Sequence, residues 1–156
     1  LSESDALTGS LNRRGFMEKA VQMNRENAGK EIVILFADLD HLKEINDSFG
    51  HIEGDFAIRQ CAEVLKSAVG DSGVIGRIGG DEFCAMLPGN VDDGQRIRER
   101  VRRESNEFNS DSDKPYYVEL SVGYHVVCCD SDLIISDVLK DADEALYEEK
   151  KKRRKS

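Results

Sequence analysis

Gly79-Gly80-Asp81-Glu82 stands between two apolar runs, Val74 to Ile78 and Phe83 to Leu87. This pattern predicts a β-hairpin whose tip carries two glycines and two carboxylates. Glycine lets a backbone come close to a bulky anion, and carboxylate oxygens bind hard cations such as magnesium. Upstream, Ile32-Val33-Ile34-Leu35-Phe36-Ala37 has the continuous apolar character of a buried strand and runs into Asp38-Leu39-Asp40. An isolated Asp38 would suit a turn or a helix cap. Joined by Asp81 at a neighbouring strand end, it becomes a candidate metal ligand, because two close carboxylates repel unless a cation or a proton lies between them. Acidic clusters at two strand ends are suited to metal-dependent phosphoryl chemistry.

The elements that must position these residues follow from apolar spacing. A first helix is expected from the capping residue Asn12 to about Ala28-Gly29, then a strand from Glu31 to Ala37. A short helical segment holds Leu42, Ile45 and Phe49 and stops at Gly50. A longer helix from about Gly54 to Val69 buries Ala57, Cys61, Ala62 and Leu65. After the hairpin, Val91 to Phe108 reads as a surface helix with contacts at Val91, Ile97, Val101 and Phe108, and Asn109 to Pro115 as a loop. Val118, Leu120, Val122 and Tyr124 to Cys128 make a strand broken at Gly123. A last helix carries Ile135, Val138, Leu139, Ala142, Ala145 and Leu146 on one face. This order is compatible with a ferredoxin-like βαββαβ core plus added helices, an α+β fold.

At 156 residues the chain is expected to be a single domain, with residues 1–4 a remnant of an upstream linker and residues 150–156 a basic helix end or tail. No stretch is apolar for the length of a membrane span, and no signal-peptide pattern precedes Asp5, so no membrane contact by the domain and a cytoplasmic location are expected. The net charge of -9 argues against a nucleic-acid surface. Lys150-Lys151-Lys152-Arg153-Arg154-Lys155 is nevertheless basic throughout, which leaves the remainder six charges more negative still. Cys61, Cys84, Cys128 and Cys129 lack CxxC spacing and a companion histidine pattern, so they are read as reduced thiols and not as a zinc site.

Three segments carry a family resemblance: Phe36 to Asp47 (FADLDHLKEIND), Phe49 to Asp55 (FGHIEGD) and Arg77 to Phe83 (RIGGDEF). With Asp5-Ala6-Leu7-Thr8-Gly9 and Asn12-Arg13-Arg14 near the start, and Ala142 to Tyr147 near the end, they resemble the GGDEF domain of diguanylate cyclases over essentially the whole chain. The resemblance implies a sheet like that of polymerase palms and nucleotide cyclases, with the acidic site at its edge.

It also implies roles. Asp38, the carbonyl of Leu39 and Asp81 would hold Mg2+, with Mn2+ as a substitute and two ions per site when GTP is bound. Asp81 would be the proton acceptor as well, although water could take that part. Lys43, whose commonest alternative is a solvent-facing helix position, would stabilise phosphate charge. Asn46 and Asp55 would read guanine: a carboxylate accepts from both N1–H and the 2-amino group, whereas adenine offers an acceptor at N1. His51 would be either a substrate contact or a turn-packing residue, and Gly79 and Gly80 would let the backbone approach the substrate. Lys150 and Arg154, four apart on one helix face, would reach the triphosphate. Arg153 stands where the family commonly has Gly, so the helix is free to run on. The partners implied are GTP, a second copy of the chain in a transient catalytic homodimer, and an upstream sensory or dimerisation domain. The product would be cyclic di-3′,5′-GMP. A catalytically silent GTP-binding module is the alternative, against which the intact set from Asp38 to Glu82 weighs. Many relatives carry an inhibitory Arg-x-x-Asp product site. Here that stretch is Gly70-Asp71-Ser72-Gly73, so no inhibitory product site is expected.

Overall fold

The computed structural model describes the backbone of residues 2–155 and the side chains of residues 2–153. In chain order its elements are α1 (Arg13–Glu26), β1 (Glu31–Leu39), α2 (Leu42–Phe49), α3 (His51–Val69), β2 (Val74–Arg77), β3 (Glu82–Pro88), α4 (Val91–Asp111), β4 (Leu120–Cys128) and α5 (Ile135–Lys155). The strands form one antiparallel sheet in the order β2-β3-β1-β4. That is the ferredoxin-like arrangement the element order suggested, with α1 and α5 added at either end.

β1 lies in the middle of the sheet, and its alternation decides what each residue meets. Val33, Leu35, Ala37 and Leu39 pack with α3 and α4 residues such as Leu65, Ile97 and Val101. Ile32, Ile34 and Phe36 pack with Phe16 and Ala20 of α1 and with Val138, Leu139, Ala142 and Leu146 of α5. The sheet is therefore covered on both faces, which explains why β1 has no polar residue between Glu31 and Asp38. Asp38 continues the even series and so belongs to the α5 face.

Several boundaries differ from the sequence expectation, each for a local reason. β1 runs through Asp38 to Leu39 rather than stopping at Ala37, because pairing with β3 and β4 continues through the acidic residues. α3 starts at His51 rather than Gly54: Gly50, at φ 92°, is the single residue between α2 and α3. α4 continues to Asp111, and the Asn109 side chain bonds both the N–H and the C=O of Val118 instead of opening a loop. Val91 is exposed rather than a contact residue. β4 is unbroken at Gly123, where a Cβ would come within 2.1 Å of the Leu146 backbone nitrogen, so this glycine is needed for close packing of α5.

The opening segment is built into the sheet edge. Asp5 accepts from the Thr8 N–H and hydroxyl at 3.0 and 2.8 Å, and Leu11 exchanges backbone hydrogen bonds with Ile75 and Arg77 of β2. Residues 2–4 lie against the start of α1, where Asn12 N–H donates to the Glu3 carbonyl at 2.8 Å. Among the described residues no helix is long and apolar enough to cross a membrane.

Candidate active site at the ends of β1 and β3

Asp38 is flanked on both sides in the sheet: its Cα partner is Glu82 on β3 and Ser121 on β4. The next residue, Leu39, donates its N–H to the Asp81 carbonyl at 3.0 Å, so the hairpin tip is stitched to the end of β1. The geometry thus brings the two acidic clusters together.

From α5, the Lys150 ammonium donates to Asp38 Oδ2 at 2.7 Å and lies 3.8 Å from Asp40 Oδ1. Asp40 accepts from the Ser121 hydroxyl at 2.8 and 2.9 Å and lies 3.5 Å from the Arg153 guanidinium, which also donates to Ser121 Oγ. Asp38 Oδ1, by contrast, is buried with no hydrogen-bond partner. Burial pushes the Asp38 carboxyl above the usual range; Lys150 opposes the shift, while Asp40 and Asp81 reinforce it. Glu82 is raised too, first by burial and then by the charges of Asp81, Asp143 and Asp38, with Arg13 opposing. Two neighbouring carboxyls held above their ordinary range first by burial and then by nearby acidic charge are short of positive charge.

Hard oxygen donors, an unpartnered buried oxygen and excess negative potential fit Mg2+, which usually takes one or two carboxylates and completes its shell with water and substrate phosphates. Asp38, the Leu39 carbonyl and Asp81 are the residues available to hold it. Among the described residues no three His, Cys, Asp or Glu side chains form a group that could hold a metal ion by themselves.

The hairpin tip is held from outside. The Arg77 guanidinium donates to the Gly80 carbonyl at 2.9 Å and pairs with Asp5 at 3.2 Å. Glu82 lies so close under Gly79 that a Cβ there would sit 2.4 Å from Glu82 Oε1. Gly80 faces open space.

α2 and α3 form the second part of the site. Entry into α2 is made by His41, a non-glycine residue in the left-handed region at φ 64°. Lys43, in the first turn of α2, is exposed, as are His51 and Asp55 in the first turns of α3, all available to a ligand. Asn46 is half-buried against Gly54, where a Cβ would fall 1.8 Å from Asn46 Oδ1. The first turn of α3 is braced by the loop after α4: the Tyr116 hydroxyl donates to Glu53 Oε1 at 2.6 Å, and Lys114 pairs with Glu53 at 2.9 Å.

Sequence reasoning missed Gly54, Ser121, Arg153 and the Asp5–Arg77 clamp as parts of this site. Arg153 lies three residues after Lys150 and so shares its helix face, a signal that was present in the spacing. α5 does run on through Arg153, and the side chain of Arg154 lies outside the described residues. In the product-site stretch Gly70 sits at φ 76°, and a Cβ at Gly73 would lie 2.3 Å from Val69 Cγ1. Cys61, Cys84 and Cys129 are buried free thiols and Cys128 is an exposed one.

A ferredoxin-like sheet with paired carboxylates at adjoining strand ends and a lysine on the covering helix belongs to the class of sheet-edge acidic sites suited to metal-assisted phosphoryl chemistry. Within that class, the family described as diguanylate cyclase, GGDEF domain, matches residues 2–156, and the chain belongs to it. It is 36% identical over 160 residues to diguanylate cyclase DgcP of Escherichia coli K12, an alignment covering 99% of this chain and 46% of that protein. It is 34% identical to the cyclic di-GMP phosphodiesterase NbdA of Pseudomonas aeruginosa, over 96% of this chain and 19% of NbdA. The diguanylate cyclase SiaD of P. aeruginosa, solved in complex with its activator SiaC, superposes with a TM-score of 0.85 at 30% identity, covering 97% of this chain and 59% of SiaD. The chain thus spans about half or less of the curated relatives it matches.

Proposed function

We propose that this domain condenses two GTP into cyclic di-3′,5′-GMP and two pyrophosphates, working as a homodimer in which two sites face each other. The observation that carries the reading is Asp38: an ionisable side chain at a strand end, with one oxygen orphaned and buried, the other on Lys150, and Asp81 and Asp40 adding negative charge beside it.

In this reading Asn46 and Asp55 hold the guanine edge, which favours GTP over ATP. Lys43 and Lys150 hold phosphate oxygens, and Arg154 adds to them. The 3′-hydroxyl oxygen of one nucleotide attacks the α-phosphorus of the other. The new O–P bond forms as the bond to pyrophosphate breaks, and the hydroxyl proton passes to Asp81 or to a water it holds. Bound Mg2+ would supply charge neutralisation on the phosphates and a lower hydroxyl pKa. A lysine already paired with Asp38 can follow the negative charge to the phosphates once a divalent cation takes its place. Because the reaction consumes GTP, we assign the domain to the cytoplasm, with an upstream segment of the full protein controlling dimerisation.

A second reading, a GTP-binding module without turnover, draws support from NbdA, a relative named for phosphodiesterase activity. Incubation of concentrated protein with GTP, ATP and Mg2+, followed by chromatography of the products, separates the two. Cyclic di-GMP formed by the native chain and not by Asp81→Ala supports the cyclase. Binding of GTP without product supports the silent module.

A further inference from the structure

The last turns of α5 cross the acidic strand end without an apolar anchor. Ile135, Val138, Leu139, Ala142 and Leu146 form the buried stripe of this helix. After them comes the exposed Tyr147, and residues 148–155 are all charged. Glu149, Lys150 and Arg153 continue the buried face at helical spacing, and each meets a different element. Glu149 pairs with Arg98 of α4 at 2.9 Å, Lys150 with Asp38 of β1 at 2.7 Å, and Arg153 lies 3.5 Å from Asp40 while donating to Ser121 Oγ of β4. Ion pairs therefore take over the docking of α5 where the sheet below it turns from apolar to acidic.

These pairs differ in what a bound cation would do to them. A cation on Asp38 displaces Lys150, and a second carboxylate, Asp40, is already 3.8 Å from the lysine ammonium. Asp40 itself is fixed from β4 and the residue before it: its N–H donates to the Glu119 carbonyl at 2.8 Å, and its carboxylate accepts from Ser121. Arg153 sits on that same carboxylate, which is not among the residues assigned to the metal.

We infer that Arg153 is a positioning residue for Lys150. By holding Asp40 and Ser121 it keeps the end of α5 docked when Lys150 leaves Asp38, and by neutralising Asp40 it removes the competing carboxylate, so that the ammonium turns to the triphosphate of the nucleotide. A planar guanidinium that is always charged suits a contact shared between a carboxylate and a hydroxyl. The inference rests on the GTP reading of the site, and it gives Arg153 no contact with the nucleotide.

The test is calorimetric titration of the native chain, Arg153→Ala, Arg153→Lys, Lys150→Ala and the Lys150→Ala/Arg153→Ala double variant with a nonhydrolysable GTP analogue in Mg2+. Arg153→Ala should weaken binding about tenfold, as expected for one charge-assisted contact between ammonium and phosphate, and Arg153→Lys should restore part of it. The Arg153 side chain is 52% exposed, so the melting temperature should change little. Because Arg153 acts through Lys150, the double variant should bind no worse than Lys150→Ala alone. Native affinity in Arg153→Ala, or additive losses in the double variant, overturns the inference and leaves the GTP reading standing. Absence of analogue binding by the native chain refutes the GTP reading and the inference with it.

Discussion

Gly54→Ala separates the stability of α3 from the service it performs. Gly54 is not among the glycines with positive φ, so its backbone accepts alanine, and in a helix interior that exchange gains up to about 1 kcal/mol in propensity. The added Cβ, however, would lie 1.8 Å from Asn46 Oδ1 and 2.8 Å from Asn46 Cγ. Ordinary van der Waals contact begins near 3.4 Å. The amide oxygen must therefore retreat by about 1.6 Å, the difference between that contact and the clash. Because the obstructing atom is the end of a side chain, rotation of Asn46 relieves the clash and the fold survives. A base held by Asn46 loses a hydrogen bond, about 1–3 kcal/mol with the partner left unsatisfied, which is roughly a 5- to 150-fold rise in the dissociation constant for GTP. Calorimetric titration with a nonhydrolysable GTP analogue, beside thermal melts of the same samples, reads both effects. Asn46→Ala should weaken binding similarly, and the double variant should be no worse than Gly54→Ala alone, because both act through one amide. Native affinity in Gly54→Ala, or additive losses in the double variant, would refute the reasoning.

Lys150→Ala leaves the Asp38 carboxylate, 18% exposed, without its cation. It should lower stability by about 1–3 kcal/mol, and Mg2+ should raise the melting temperature of the variant more than that of the native chain; equal shifts would count against a shared site for lysine and metal. Asp5 is drawn below the usual carboxylate range: burial pushes it up, but hydrogen bonds from Thr8 and the Arg77 guanidinium prevail. A depressed folded-state pKa means that its stabilisation is present above the unfolded value of about 3.9 and fades as pH falls through the lower folded value. The melting-temperature gap between the native chain and Asp5→Asn should accordingly be full at pH 6 and shrink below about pH 4; a gap constant across that range would contradict the clamp. Titration with cyclic di-GMP should show no tight binding at the Gly70–Gly73 turn, whereas tight binding of a product dimer there would overturn the expectation.

The strand-end carboxylates were legible because they are local, whereas the fold class rested on the family resemblance, with which the element order was only compatible. The apolar run before Asp38 reports burial on both faces, and the Gly79-Gly80 pair reports a tip. Element boundaries failed where a tertiary contact overrode a local signal. Asp38 looked like a strand terminator until its pairing with Glu82 and Ser121 extended β1 through it. Gly123 looked like a break until the approach of α5 made a side chain impossible there. Gly54 looked like the start of a helix, whereas Gly50 makes the turn. The support for Asp40 was out of reach for the same reason: Ser121 and Arg153 are 81 and 113 positions downstream, and only the folded sheet brings them together.

The central claim is that the ends of β1 and β3 grip a divalent cation that carries the nucleotide phosphates. A crystal of the domain grown with Mn2+ and a nonhydrolysable GTP analogue tests it directly through anomalous scattering. The account predicts manganese bound by Asp38, the Leu39 carbonyl and Asp81, with the guanine against Asn46 and Asp55 and Lys150 turned from Asp38 toward phosphate. Manganese elsewhere, or a nucleotide whose phosphates do not approach Asp38 and Asp81, would contradict it.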